Sequence, residues 1–110
     1  MSSFAIEIRL VSAQNVVVTD DALSIELVDG RTISAPLAWY PRLLHAEPKE
    51  RDNWRLIGQG EGIYWPDLDE DISVENVLLA RPSGESQRSF KRWLEKRARG
   101  SNPSPNADTV

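Results

Sequence analysis

The dipeptide Asp29-Gly30 stands between two short runs, LSIELV and RTISA. The first run alternates, and alternation places every second side chain of a strand on one face, so Leu23, Ile25 and Leu27 point the same way. A DG pair between such runs is the strongest short-range signal for a β-hairpin. It commits the middle of the first half of this chain to antiparallel pairing.

The flanking segments extend the same reading. FAIEIRL, Phe4 to Leu10, alternates and predicts a half-buried strand, and SAQN breaks it. VVVT, Val16 to Thr19, is β-branched throughout and predicts a second strand, with a turn at Asp20-Asp21. The period then changes. Pro41 suits the first position of a helix, where its missing N–H costs nothing, so a short helix is expected from Pro41 to Ala46. Pro48 opens a second helical turn. WRLIGQGEGIYW places two apolar runs around a glycine loop and predicts a second hairpin with a flexible connection. The strand ending in Ile63, Tyr64 and Trp65 stops at Pro66, an acidic connection follows, and Ser73 caps a short helix that ends before Pro82. Phe90, Trp93 and Leu94 form the apolar stripe of a last helix, with Gly100 as its stop and SNPSPNADTV as a disordered tail. The expected fold class is α+β: a small antiparallel sheet built from β-hairpins, with short helices and a C-terminal amphipathic helix. The expected organisation is a domain over residues 1–82, a basic helix over 83–99 and a tail over 100–110.

Composition narrows the function classes. There are 110 residues, enough for one core, and no cysteine, which excludes disulfides, a cysteine nucleophile and thiolate metal sites. No window approaches an apolar membrane span and no basic leader precedes the first strand, so the expectation is a cytoplasmic protein without a membrane partner. The net charge of -4 hides an asymmetry: residues 1–87 carry 7 Lys/Arg against 15 Asp/Glu, whereas residues 88–99 carry 6 against 1.

Three constellations could carry chemistry. Asp67, Asp69, Glu70 and Asp71 crowd into five positions. Placed on a calcium loop, this stretch has Ile72 where a glycine is needed and Leu78 where a bidentate glutamate is needed, so that mechanism fails. The acids read as a surface feature at a helix start, with partner binding as the functional alternative. GQGEG lacks both a following helix and the Lys-Ser/Thr pair of a phosphate loop. His45 is the single histidine and reads as a helix-end residue, so no zinc set and no Cys-His dyad can form. No catalytic, cofactor-binding or metal-binding residue is assigned, and no cofactor is expected.

The order LSIELVDGRTISAPL, then WYPRLLHAEPKERDNWRLIG, then GIYWPDLDEDISVENVLLARPSGES resembles the bacterial family of domain of unknown function 2442 over roughly residues 14–82. The resemblance implies a compact mixed sheet-and-helix domain and carries over no catalytic residue. Some relatives are fused to a helix-turn-helix or encoded beside toxin-like proteins, which implies antitoxin roles; here one basic helix follows instead. The expected function is a non-catalytic protein-interaction or regulatory module, antitoxin-like in form, that binds a basic partner such as a toxin through Tyr40, Trp65, Asp67, Asp69 and Asp71. The alternatives are a nucleic-acid-associated regulator, a homodimer built on the last helix, and a small divalent-metal enzyme using the acidic cluster. The first two would use Arg88, Phe90, Lys91, Arg92, Trp93, Leu94, Lys96 and Arg97.

Overall fold

The computed structural model describes residues 11–101, so the strand expected at Phe4–Leu10 and the tail expected to be disordered lie outside the described residues, apart from the start of the tail. The described chain is α+β, with two three-stranded antiparallel sheets. The first joins β1 (Ala13–Val18), β2 (Ala22–Leu27) and β3 (Thr32–Pro36) in sequence order. A 3-10 turn (Leu37–Trp39) leads to α1 (Pro41–Leu44) and α2 (Pro48–Arg51). The second sheet joins β4 (Arg55–Ile57), β5 (Gly62–Trp65) and β6 (Glu70–Ser73), followed by α3 (Val74–Leu78) and α4 (Gln87–Ser101).

The DG hairpin forms as expected, with a three-residue loop. Leu27 N–H donates to the Arg31 carbonyl at 2.8 Å, and Gly30 N–H donates to the Leu27 carbonyl at 3.0 Å. Gly30 sits at φ +96°, the left-handed position such a loop requires and glycine tolerates. On β2, Leu23, Ile25 and Leu27 are fully buried, so the alternation in the sequence is the alternation of burial.

β1 begins earlier than the β-branched run suggests. Ala13, Gln14 and Asn15 belong to it, and the register shifts between Ala13 and Asn15. That irregularity lets Ala13 and Val16, three residues apart, both point into the core. Ala13-Gln14-Asn15 is therefore a bulged strand start. The glycine loop is also more constrained than expected. A Cβ on Gly60, at φ +89°, would lie 2.8 Å from the Ala13 carbonyl oxygen, so this loop packs directly on the bulged strand.

Both prolines start their helices as expected, and His45 is the C-cap of α1. One core holds the sheets together, centred on Leu23, Ile25 and Leu27 of β2 and on Ile63 and Trp65 of β5. Leu37, Tyr40, Leu43 and Leu68 fill it from the connections. A residue deep in this core is Arg51, 7% exposed, which is stable there because its donors are taken. It reaches the carbonyls of Leu43 and Leu44 at 3.0 Å each and Asp20 at 2.8 Å, closing the open end of α1. Its own carbonyl accepts the Trp65 indole N–H at 3.0 Å.

Helix α4 continues through Gly100 to Ser101, so that glycine is not its stop within the described residues. It lies against the body through Trp93, which packs on the core, and Phe90, whose ring meets His45 at 5.0 Å and stacks on Trp93 at 5.7 Å. Arg97 pairs with Glu50 at 2.7 Å and lies over the Trp93 ring.

Candidate functional site

The acidic stretch is a hairpin rather than a connection into a helix. β5 and β6 pair with Trp65 opposite Glu70, Tyr64 opposite Asp71 and Ile63 opposite Ile72. Pro66 to Asp69 make the turn. Its tip is anchored from inside by Leu68, which is fully buried, and Asp69 takes the left-handed conformation at φ +50°. Only Ile72 of the four β6 residues is fully inside the core, which explains how a strand so rich in carboxylates pairs. Ser73 then caps α3, accepting the Asn76 N–H at 3.1 Å.

This geometry separates the residues expected to bind a partner. Asp67, Asp69 and Asp71 are exposed on the hairpin. Trp65 and Tyr40, expected as aromatic anchors beside them, are 0% and 2% exposed and belong to the core. The correction has a physical reason: Trp65 lies in the middle strand of its sheet with its N–H satisfied by backbone, and Tyr40 ends the 3-10 turn beneath the hairpin. Neither ring can serve as a surface anchor.

Arg42 of α1 organises the surroundings. Its Nε and Nη2 grip the Glu85 carboxylate at 2.6–3.0 Å, and its Nη1 donates to the carbonyls of Leu68 and Asp69 at 3.2 and 3.0 Å. The Trp93 ring covers it at 5.3 Å. One guanidinium thus ties α1, the acidic turn, the segment before α4 and α4 itself. Ser89 also donates to Glu85, at 2.9 Å. Burial pushes the Glu85 carboxyl up, but the Arg42 and Ser89 hydrogen bonds outweigh it and hold the carboxyl below the ordinary range.

Between β6 and the 81–89 segment lies a cleft of about 440 Å3. Tyr40 and Arg42 line it, as do Glu70, Arg81 and Glu85. Glu70 is half-buried, and burial pushes its carboxyl up to about 7; Arg42 pulls it down, while Glu85, Asp71 and Asp69 push it further up. Burial and the Glu70 charge together raise the Tyr40 phenol. Among the described residues, no group of three or more His, Asp or Glu is placed to hold a metal ion.

On α4, Arg88, Lys91, Arg92 and Lys96 are exposed, and Phe90, Trp93 and Leu94 are half-buried. The apolar stripe is therefore partly covered by the chain itself. Arg97, grouped by sequence with the solvated cations, is committed to Glu50. Arg42 and Glu85 carry no mark in the sequence as site residues, and Glu70 is there one acid of the cluster, outside the expected partner-binding set. The nearest available signal was the isolated Arg42 next to Leu43 in an otherwise apolar helix turn.

Two solved structures share this fold. A crystal structure of a protein of unknown function from Rhodospirillum rubrum ATCC 11170 superposes with a TM-score of 0.60 at 20% identity, covering 70% of this chain and 95% of that one. A solution NMR structure of an uncharacterized protein from Chromobacterium violaceum gives 0.59 at 15% identity, covering 88% and 90%. At these identities the likeness is one of fold. No curated protein matches the chain. A family model described as protein of unknown function (DUF2442) matches residues 13–83, from the start of β1 to the segment that leads into α4. The chain belongs to the DUF2442 family.

Proposed function

We propose that this chain is a small, non-catalytic protein-interaction module that binds a basic partner through the β5–β6 hairpin. The observation that carries the reading is how the three exposed aspartates are held. Arg42 clamps two carbonyls of the turn from below and Leu68 anchors its tip, so Asp67, Asp69 and Asp71 project from a braced element. A braced acidic edge loses little conformational entropy on binding and steers a partner of opposite charge. In the antitoxin-like form of this reading the partner is a basic toxin and the setting is the bacterial cytoplasm. The test is quantitative capture from an extract of the native host with the full chain and with the Asp67→Asn, Asp69→Asn, Asp71→Asn triple variant. Loss of a specific basic protein in the variant supports the reading; equal recovery of every captured protein removes it.

A second reading rests on a different surface. Arg88, Lys91, Arg92 and Lys96 stay exposed on α4 while its apolar side docks, an arrangement suited to phosphate contacts. Fluorescence anisotropy with a labelled duplex at low salt decides it, since phosphate-driven binding must weaken as salt rises and on Lys91 and Arg92 replacement.

A further inference from the structure

The cleft behind the acidic hairpin holds two polar groups that the fold itself leaves unused. The Tyr40 hydroxyl is buried and has no hydrogen-bond partner among the described residues. An unsatisfied buried hydroxyl is costly, and a phenylalanine would avoid that cost. Glu70 accepts no side-chain hydrogen bond among the described residues, although its charge is close enough to the phenol to affect its ionisation. Arg42, the cation beside it, directs its donors to Glu85 and to the turn carbonyls.

The charge around the cleft is unbalanced. Arg42 is matched by Glu85, and Arg81, on the exposed rim, faces Asn76 at 3.4 Å. Glu70 remains inside, with Asp69 and Asp71 beside it. An anion entering here would meet three carboxylates. A group carrying positive charge and N–H donors would find one carboxylate and one phenol oxygen ready to accept.

We propose that this cleft receives a basic side chain of the partner, a lysine ammonium or arginine guanidinium, held by the Glu70 carboxylate and the Tyr40 phenol oxygen. The proposal rests on the interaction reading above and adds to it the chemical group that is recognised. The exposed aspartates steer the partner, and the cleft fixes its register. A volume of about 440 Å3 accommodates either head group with the stem that carries it.

The test is a chemical-shift titration of the full, isotope-labelled chain at pH 7.5. The probes are a capped Gly-Lys-Gly peptide and free n-butylammonium, with butyrate and potassium chloride as controls of equal ionic strength. Saturable shifts at Tyr40, Glu70, Asp71 and Ser83–Glu85 are expected with the peptide and not with butyrate. Glu70→Gln is expected to weaken binding about tenfold or more, and Tyr40→Phe by about threefold. Both variants are expected to keep the fold, because each removes a group that burial disfavours. Affinity is expected to fall as pH drops below 7 and to level off near that of Glu70→Gln, as Glu70 takes up a proton among Tyr40, Arg42, Arg81, Glu85, Asp69 and Asp71. Shifts no larger than those of the chloride control, or shifts that both variants leave unchanged, overturn the proposal. Binding of butylammonium without binding of the peptide overturns the side-chain assignment and points to a free amine. If the triple aspartate variant loses its partner while Glu70→Gln and Tyr40→Phe retain theirs, the cleft assignment fails and the interaction reading stands.

Discussion

Replacing Glu70 by glutamine should stabilise this protein at neutral pH and leave its stability nearly unchanged in acid. Glu70 is the carboxyl that burial penalises most visibly, moved from an ordinary 4.5 to about 7. Because the folded value lies above the unfolded one, the folded chain holds more protons between them. Wild-type stability contributed by this group is therefore full below about pH 4.5, falls as pH rises towards 7 and levels off above it. At about 1.36 kcal/mol per pH unit, the displacement caps the effect at about 3.4 kcal/mol. Partial access to solvent screens the carboxylate and reduces the expected value to about 1–2 kcal/mol. Glutamine fills the same space without ionising. Urea unfolding of both chains at pH 5, 6, 7 and 8 should show Glu70→Gln gaining on wild type by that amount over the series, on the order of 1 M in midpoint. Comparing the two chains at each pH cancels Glu50 and Glu85, whose carboxyls are held low by Arg97 and Arg42 and act at more acid pH. A constant difference between the two chains from pH 5 to pH 8 would refute the placement of Glu70 in a desolvated cleft.

Arg51→Met removes the donors to the Leu43 and Leu44 carbonyls and should cost about 2–4 kcal/mol in urea unfolding, whereas Asp20→Asn, at the exposed end of the same pair, should cost under about 1 kcal/mol. Gly60→Ala places a Cβ against the Ala13 carbonyl and should cost about 2 kcal/mol or more; Gly30→Ala, also left-handed but with open space around it, should cost about 1 kcal/mol by the same assay. Arg42→Gln leaves Glu85 without its bidentate partner and frees both the acidic turn and α4, so hydrogen exchange should accelerate about tenfold or more in Asp67–Glu70 and Gln87–Leu94 and much less in β2.

The parts of this fold that were legible in the sequence are those fixed by neighbours. The Asp29-Gly30 turn needs one left-handed residue at one place, and Leu23, Ile25 and Leu27 need only a period of two. Pro41 and Pro48 start helices for reasons contained in their own rings. The parts that were not legible depend on partners far along the chain. Arg42 and Glu85 are 43 residues apart, and Arg97 and Glu50 are 47 apart, so each looks like an ordinary solvated charge until the fold joins them. β6 reads as a connection in the sequence because three of its four residues are polar or charged, and only its backbone ladder to β5 makes it a strand. Tyr40 and Trp65 looked like surface anchors because an aromatic ring with a polar handle suits an interface and a core equally well. The third dimension decides, and it places both inside.

On the interaction reading proposed above, recognition lies on the acidic face and not on the basic helix. The decisive measurement is amide chemical-shift mapping of the full chain with a short lysine-rich peptide at low ionic strength. Saturable shifts are expected at Asp67–Ser73, Tyr40 and Ser83–Glu85, lost in Glu70→Gln combined with the aspartate substitutions. Shifts absent from that face, or confined to Arg88–Arg99 of α4, overturn it.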